Sequence, residues 1–195
     1  MIRFTPSKGV SRQAPVAAPR ILVGDLNVKY RERVRDILVA TAVFRDEEVS
    51  VGVELFDEVF GSSAKADTDY QFIGAFTPGE ELVGFACYGP TPETDGTYDL
   101  YWIAVHPSAQ GTGSGTILLN EIERRLKGLN ARMVVVETSS RSDYKNTRGF
   151  YIHRGYIEAA RSRDFYAPSD DRITFTKRLQ SRASHEWMAH GVMTQ

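Results

Sequence analysis

Apolar positions along the chain fall into two rhythms, one helical and one extended. In residues 29–44, Tyr30, Val34, Ile37, Leu38 and Thr41 recur at the spacing of one helical face. Residues 46–60 repeat that pattern with Val49, Val53, Phe56 and Phe60, and Gly61-Ser62-Ser63 ends the helix. The middle of the chain then turns to strands. Residues 70–76 and 82–89 flank the turn sequence Thr77-Pro78-Gly79-Glu80-Glu81, which predicts an antiparallel hairpin. After a loop over 90–96, residues 97–105 are rich in aromatic and branched side chains and read as a further strand. A glycine-rich loop over 107–115 leads into a helix over 116–126, with Ile117, Leu118, Ile122 and Leu126 inward. Residues 132–137 read as a buried strand, 144–154 as a helix closed by Gly155, and 156–166 and 173–179 as the last strands. Residues 20–24 fit a short opening strand. This order predicts a mixed α/β (α+β) domain, with one mainly antiparallel central sheet and helices on both faces.

A chain of 195 residues favours one domain. That domain is placed at 20–179. It lies between an N-terminal tail, 1–19, marked by Pro6, Pro15 and Pro19, and a polar C-terminal tail, 180–195, to which no element is assigned. Lys and Arg number 24 against 25 Asp and Glu, so the net charge of -1 offers no general field for nucleic acid or an anionic membrane. The single cysteine, Cys87, excludes an internal disulfide and fits a reducing compartment. No secretory signal or membrane-length apolar run is read, and the expectation is a cytoplasmic protein. His185 and His190 flank Trp187 without a third ligand, and no metal is expected.

The segment that carries chemistry is Ile103-Ala104-Val105-His106-Pro107-Ser108-Ala109-Gln110-Gly111-Thr112-Gly113-Ser114-Gly115-Thr116. A strand runs into a loop with glycines at alternate positions, and a helix follows. Glycines let backbone approach a ligand closely, and the first helical turn leaves N–H groups without partners. With the helix dipole these donors form an anion site suited to a pyrophosphate. The phosphate loop of nucleotide triphosphatases is excluded, because Thr116-Ile117 follows Gly115 where Lys-Ser/Thr is needed. The dinucleotide fingerprint is excluded too, because the glycines fall at one, three and five rather than one, three and six.

Gln110-Gly111-Thr112-Gly113-Ser114-Gly115 resembles the Gln/Arg-x-x-Gly-x-Gly/Ala signature of the GCN5-related N-acetyltransferases, the GNAT superfamily. Thr147-Arg148-Gly149-Phe150-Tyr151-Ile152-His153-Arg154-Gly155-Tyr156 resembles the second motif of that family. The resemblance spans residues 20–179 and implies the GNAT-like acyl-CoA N-acyltransferase fold. It implies an N-acetyltransferase that moves acetyl from acetyl-CoA, as co-substrate, to a primary amine of a small molecule or peptide by direct attack in a ternary complex. It assigns Ile103, Ala104, Val105, Gln110, Gly111, Thr112, Gly113, Ser114, Gly115 and Thr116 to coenzyme binding, at a place where the strand over 97–105 splays from that over 132–138. Many members carry Arg or Lys at the positions of Gln110 and Thr112. Here binding is expected to rest on backbone N–H groups and on the hydroxyls of Thr112, Ser114 and Thr116.

The resemblance further implies that Tyr151 is the general acid toward the departing thiolate, since a phenol with a pKa of about 10 is protonated at neutral pH. Asp99 is the first choice of base and Glu137 the second, with Glu54 behind them. The plainer readings are a core tyrosine and carboxylates that pair with nearby cations. A non-catalytic acyl-CoA-binding or sensing module is the alternative, kept open by the missing basic residues. A transferase acting on charged tRNA fits the near-neutral charge poorly. A homodimer is left open, and the acceptor amine is not named by the sequence.

Overall fold

The computed structural model describes residues 20–62, 64–65 and 68–179; the two expected tails, with His185, Trp187 and His190, lie outside them. Seven strands form one sheet in the order β1-β2-β3-β4-β5-β7-β6. They are β1 (Leu22–Asp25), β2 (Gln71–Phe76), β3 (Leu82–Pro90), β4 (Thr97–Val105), β5 (Met133–Ser139), β6 (Ile157–Ala167) and β7 (Asp170–Arg178). Every neighbouring pair is antiparallel except β4 and β5, which run parallel. The mainly antiparallel α/β sheet is as the sequence predicts.

Helices α1 (Arg31–Ala40) and α2 (Asp46–Phe60) cover one face. Their buried stripe of Val34, Ile37, Leu38, Val49, Val53 and Phe56 packs on Phe72, Phe85, Cys87 and Ala104. Helix α3 (Ser114–Gly128) covers the other face, setting Leu118, Leu119, Ile122 and Leu126 over Ile73, Ala86, Val134 and Phe175. Helix α4 (Lys145–Ile152) adds Tyr151 to this second core. Because both faces are covered, β3 is buried without a break from Leu82 to Gly89, which is why it reads as a continuous apolar run. Helix α1 stops at Ala40, short of the expected 44, and Ala42 takes a positive φ of 56°. The chain from there to Arg45 becomes a strap leading into α2 rather than a further helical turn.

Two irregularities of β4 shape the centre of the sheet. Cys87 pairs with Trp102 and Tyr88 with Leu100, so Tyr101 is an extra residue, a bulge. Leu100 and Ile103 pack on the α3 side, while Tyr101 and Trp102 both turn to the α1–α2 side. The second irregularity is that β4 and β5 pair only from Thr97 with Met133 to Leu100 with Val136. Beyond those four pairs the strands part, as the family resemblance implied.

Helix α3 is tied to the sheet by a buried charge. Glu123, 7% exposed, accepts from Lys177 Nζ on β7 at 2.8 and 2.7 Å and from the Tyr156 hydroxyl at 3.2 Å. Lys177→Met leaves the carboxylate with the tyrosine alone. The expected loss is about 2 kcal/mol, below the roughly 3–5 kcal/mol of fully buried pairs because Tyr156 still donates. The melting temperature is expected to fall by about 4–8 °C. Adding Glu123→Gln should recover most of the loss; a double variant no better than the single one contradicts the assignment.

Candidate active site

The parting of β4 and β5 opens a cleft of about 550 Å³. Tyr101 to Val105 line one wall and Val136, Glu137 and Thr138 the other. Helix α4 contributes Thr147, Phe150 and Tyr151. A second cavity of about 610 Å³ opens toward α1 and α2. The two share Phe44, Leu100, Tyr101, Trp102, Glu137 and Tyr144, so they are halves of one passage through the sheet.

The glycine loop closes the first half. Its shape is set locally. His106 caps the 3-10 turn Pro107–Ala109, its Nδ1 accepting from the Ser108 N–H at 3.2 Å. Gln110 Nε2 donates back to the Val105 carbonyl at 3.1 Å. Gly111 and Gly113 then take φ of 77° and 89°, a left-handed backbone that favours glycine. A Cβ at either would meet nothing within 4 Å, so the cost of a side chain there is conformational and falls on whatever approaches the loop. Among the described residues no acceptor is found for the backbone N–H groups of residues 111–116, which lead into the 15-residue helix α3. Such a run of unpaired donors at a helix N-terminus is the feature from which the sequence reading expects an anion site.

The three hydroxyls expected to serve that site also make bonds within the fold. Thr112 Oγ1 donates to the Ala109 carbonyl at 2.7 Å and lies 2.8 Å from Ser114 Oγ, which is itself buried. Thr116 Oγ1 accepts from Arg154 Nη2. Thr112 and Ser114 thus brace the loop, whereas Thr116 accepts from Arg154 and keeps its own proton to donate; Thr112 is absent from the cleft wall. The remaining residues assigned to coenzyme binding, Ile103, Ala104, Val105, Gln110, Gly111, Gly113, Ser114, Gly115 and Thr116, all line the cleft.

Arg154 is the residue that sequence reasoning missed. It lies 38 positions from Thr116 in sequence yet joins it at the cleft. Its signal was the i,i+4 spacing from Phe150 on a helix, which lets an arginine lie over an aromatic ring. The guanidinium carbon is 3.8 Å from the Phe150 centroid.

Tyr151 is 3% exposed, lines the cleft, and packs against the rings of Phe150, Tyr156 and Phe175. Burial pushes its phenol well above the ordinary tyrosine value, so it holds its proton throughout the neutral range. Asp99 and Glu137 both reach the second cavity, and Glu137 also borders the first. Asp99 Oδ2 accepts from Thr91 Oγ1 at 2.8 Å. Glu137 Oε1 lies 3.4 Å from Arg172. Burial, with the charge of Asp99 adding to it, pushes Tyr101 up to about 12. Burial likewise pushes Tyr144 up to about 12. Glu54 is an exposed position of α2 and borders neither cavity. Burial pushes the Cys87 thiol up, which suits a packed side chain rather than a nucleophile. Among the described residues no group of three or more His, Cys, Asp or Glu could hold a metal ion, and no helix is long and apolar enough to cross a membrane.

The second cavity is crossed by the strap before α2. Arg141 Nη2 donates to the Val43 carbonyl at 2.9 Å and the Tyr144 hydroxyl to the same oxygen at 3.4 Å. Arg45 Nη2 reaches Asp170 Oδ2 at 3.0 Å, and Asp170 is only 3% exposed. Phe44, Tyr101, Trp102, Tyr144 and Tyr166 give this half aromatic walls.

Comparison with known proteins agrees with this geometry. The model of the acetyltransferase (GNAT) family matches residues 32–156. No curated protein matches the sequence. Among solved structures, a GNAT-family protein from Desulfovibrio desulfuricans is 34% identical, covers 83% of this chain and 100% of its own, and has a TM-score of 0.75. The ribosomal-protein-S18-alanine N-acetyltransferase of Escherichia coli is 17% identical, covers 85% of this chain and 98% of its own, and has a TM-score of 0.67. An aminoglycoside 6'-N-acetyltransferase complexed with coenzyme A is 16% identical, covers 83% of this chain and 98% of its own, and has a TM-score of 0.64. The last two speak for the fold alone. The family match and the 34% identity together place this chain in the GNAT family of acetyltransferases.

Proposed function

We propose that this protein is an N-acetyltransferase that uses acetyl-CoA and acts on a primary amine of a small molecule or peptide. The observation that carries the reading is the cleft itself. A sheet opening lined by unpaired backbone ends at a run of free amides on a helix N-terminus and passes, at its other end, into an aromatic cavity with carboxylates. The residues present fit an acyl-CoA. The amides of 111–116 suit a pyrophosphate, and the parted edge of β4 offers N–H and C=O groups to an amide-bearing arm.

Bound acetyl-CoA supplies an activated thioester, so the protein's part is mostly to align the reactants. Ile103, Ala104 and Val105 supply the edge that holds the arm, and a backbone N–H there stabilises charge on the acyl oxygen. Tyr151 stays protonated and donates to the developing sulfur anion. Asp99 and Glu137 face the acceptor half, and one of them takes the ammonium proton, directly or through water. In the acceptor half a carboxylate also favours an amine that arrives charged.

Binding is tested first. Acetyl-CoA should raise the melting temperature of the wild type, and Gly113→Glu should abolish the shift, because the new carboxylate stands where the phosphates bind. An unchanged shift in a folded Gly113→Glu variant contradicts the coenzyme site. Thiol release is then measured with acetyl-CoA across an amine panel. Binding without release from any amine turns the reading toward a sensing module.

For the acid, Tyr151→Phe should lower kcat about tenfold or more with little change in KM for acetyl-CoA. Wild-type turnover in this variant leaves Tyr151 a packing residue only.

For the base, Asp99→Asn and Glu137→Gln are measured in parallel over pH. Loss of the base should be largest at low pH, where the free amine is scarce. It should recover as the pH approaches the acceptor's own pKa. The variant with that profile identifies the base. A loss that is equal at every pH and comes with lower thermal stability marks a structural carboxylate. Wild-type profiles in both variants contradict a protein base.

A further inference from the structure

The glycine loop lacks a cation of its own, with Gln110 and Thr112 where a basic residue would serve a phosphate. The structure brings one from the next helix. Arg154, just past the end of α4, donates through Nη2 to Thr116 Oγ1 in the first turn of α3 and through Nη1 to the Phe150 carbonyl at 3.0 Å. Its guanidinium lies on the Phe150 ring. That ring in turn abuts the loop, since a Cβ at Gly115 would come within 3.3 Å of it. The chain Gly115, Phe150, Arg154, Thr116 is therefore one packed unit on the cleft wall.

Both of these hydrogen-bond partners are neutral oxygens. Arg33, Arg45, Arg125 and Arg141 each hold a carboxylate. Among the described residues Arg154 pairs with none, and its Nε is buried without a partner. A half-buried guanidinium fixed by a ring and a hydroxyl, with no counter-ion, beside a run of free amides, lacks only an anion with several oxygens. A guanidinium's planar fork matches such an anion better than a lysine would.

We propose that Arg154 is the cationic binding residue for the diphosphate of coenzyme A, standing in for the basic residue absent from the loop. The inference rests on the acetyl-CoA reading above. The diphosphate is chosen over the 3'-phosphate because Arg154 is anchored on the first turn of α3, where the free amides converge.

The test is direct binding by calorimetry with CoA, 3'-dephospho-CoA and pantetheine, on the wild type, Arg154→Gln and Arg154→Lys. If the wild type binds none of the three, the acetyl-CoA reading itself fails, which is a separate outcome. Given wild-type binding, Arg154→Gln should weaken CoA and 3'-dephospho-CoA alike by about tenfold or more, the weight of one charge-assisted contact. Pantetheine, which has no diphosphate, should change by less than about twofold. The dependence of the CoA affinity on salt should shrink in the same variant. A loss confined to CoA overturns the assignment to the diphosphate, and an equal loss for pantetheine overturns a phosphate role. Should Arg154→Gln fold poorly, Arg154→Lys decides, because the charge remains. It should lose CoA affinity by less than Arg154→Gln does, since the charge is kept but the fork is not, while leaving pantetheine unchanged. A tenfold loss for both ligands marks Arg154 as a packing residue.

Discussion

The structure turns on an unmade set of backbone hydrogen bonds. β4 and β5 pair for four residues and then part, so the edges that face each other beyond Leu100 and Val136 have no ladder. Each N–H or C=O left without a partner away from water costs about 1–3 kcal/mol. An opening of this kind is stable only if water or a ligand enters it. The centre of the sheet, which elsewhere is buried on both faces, is thereby made a place for a guest that carries amide-like groups.

What keeps the strands from closing is visible on each side. The bulge at Tyr101 swings two consecutive large side chains, Tyr101 and Trp102, to the α1–α2 face, where they meet the second core. Closing the ladder would require that flip to be undone. On the other side β5 is committed to β7 over its whole length, from Met133 with Arg178 to Ser139 with Arg172. The end of β5 is fixed further by Arg148, which donates to the carbonyls of Ser139 and Arg141 at 2.7 and 2.8 Å. The Asp170 carboxylate, bonded by Ser139 and Arg45, joins that corner to the strap before α2. The cleft is thus held open by contacts that its own walls make with the strands and helices behind them.

Much of this was legible in the residues and some was not, for reasons of range. The helix at Asp46–Phe60 and the strand at Thr97–Val105 were readable to the residue, because their periodicity is local. The glycine loop was readable as a strand-to-helix turn with left-handed glycines, and its family signature, not the glycines alone, marked it as a candidate anion site. The bulge was hidden. TYDLYWIAV reads as a regular strand, and a regular strand sets Asp99 and Ile103 on one side. With Tyr101 inserted, Asp99 borders the acceptor cavity alone while Ile103 borders the first. That the hydroxyls of Thr112 and Ser114 brace the loop was not legible, because a polar side chain next to a ligand site and one that braces the loop have the same sequence. Arg154 was missed because its meaning depends on a contact 38 residues away.

The cleft also has a direction that the composition conceals. The chain carries a net charge of only -1, which steers nothing as a whole. Locally the charges separate. The loop end presents amide dipoles, the N-terminus of α3 and Arg154, while the other end gathers Glu48, Asp99, Glu137 and Asp170 around Arg45 and Arg141. For the proposed reaction this arrangement would draw an anionic donor toward the loop end and an amine toward the carboxylates. Field lines between low-dielectric walls keep such a preference local, so it need not show in the net charge. On that reading the opening in the sheet sets where the two would meet, and the charges at its ends set from which side each would arrive.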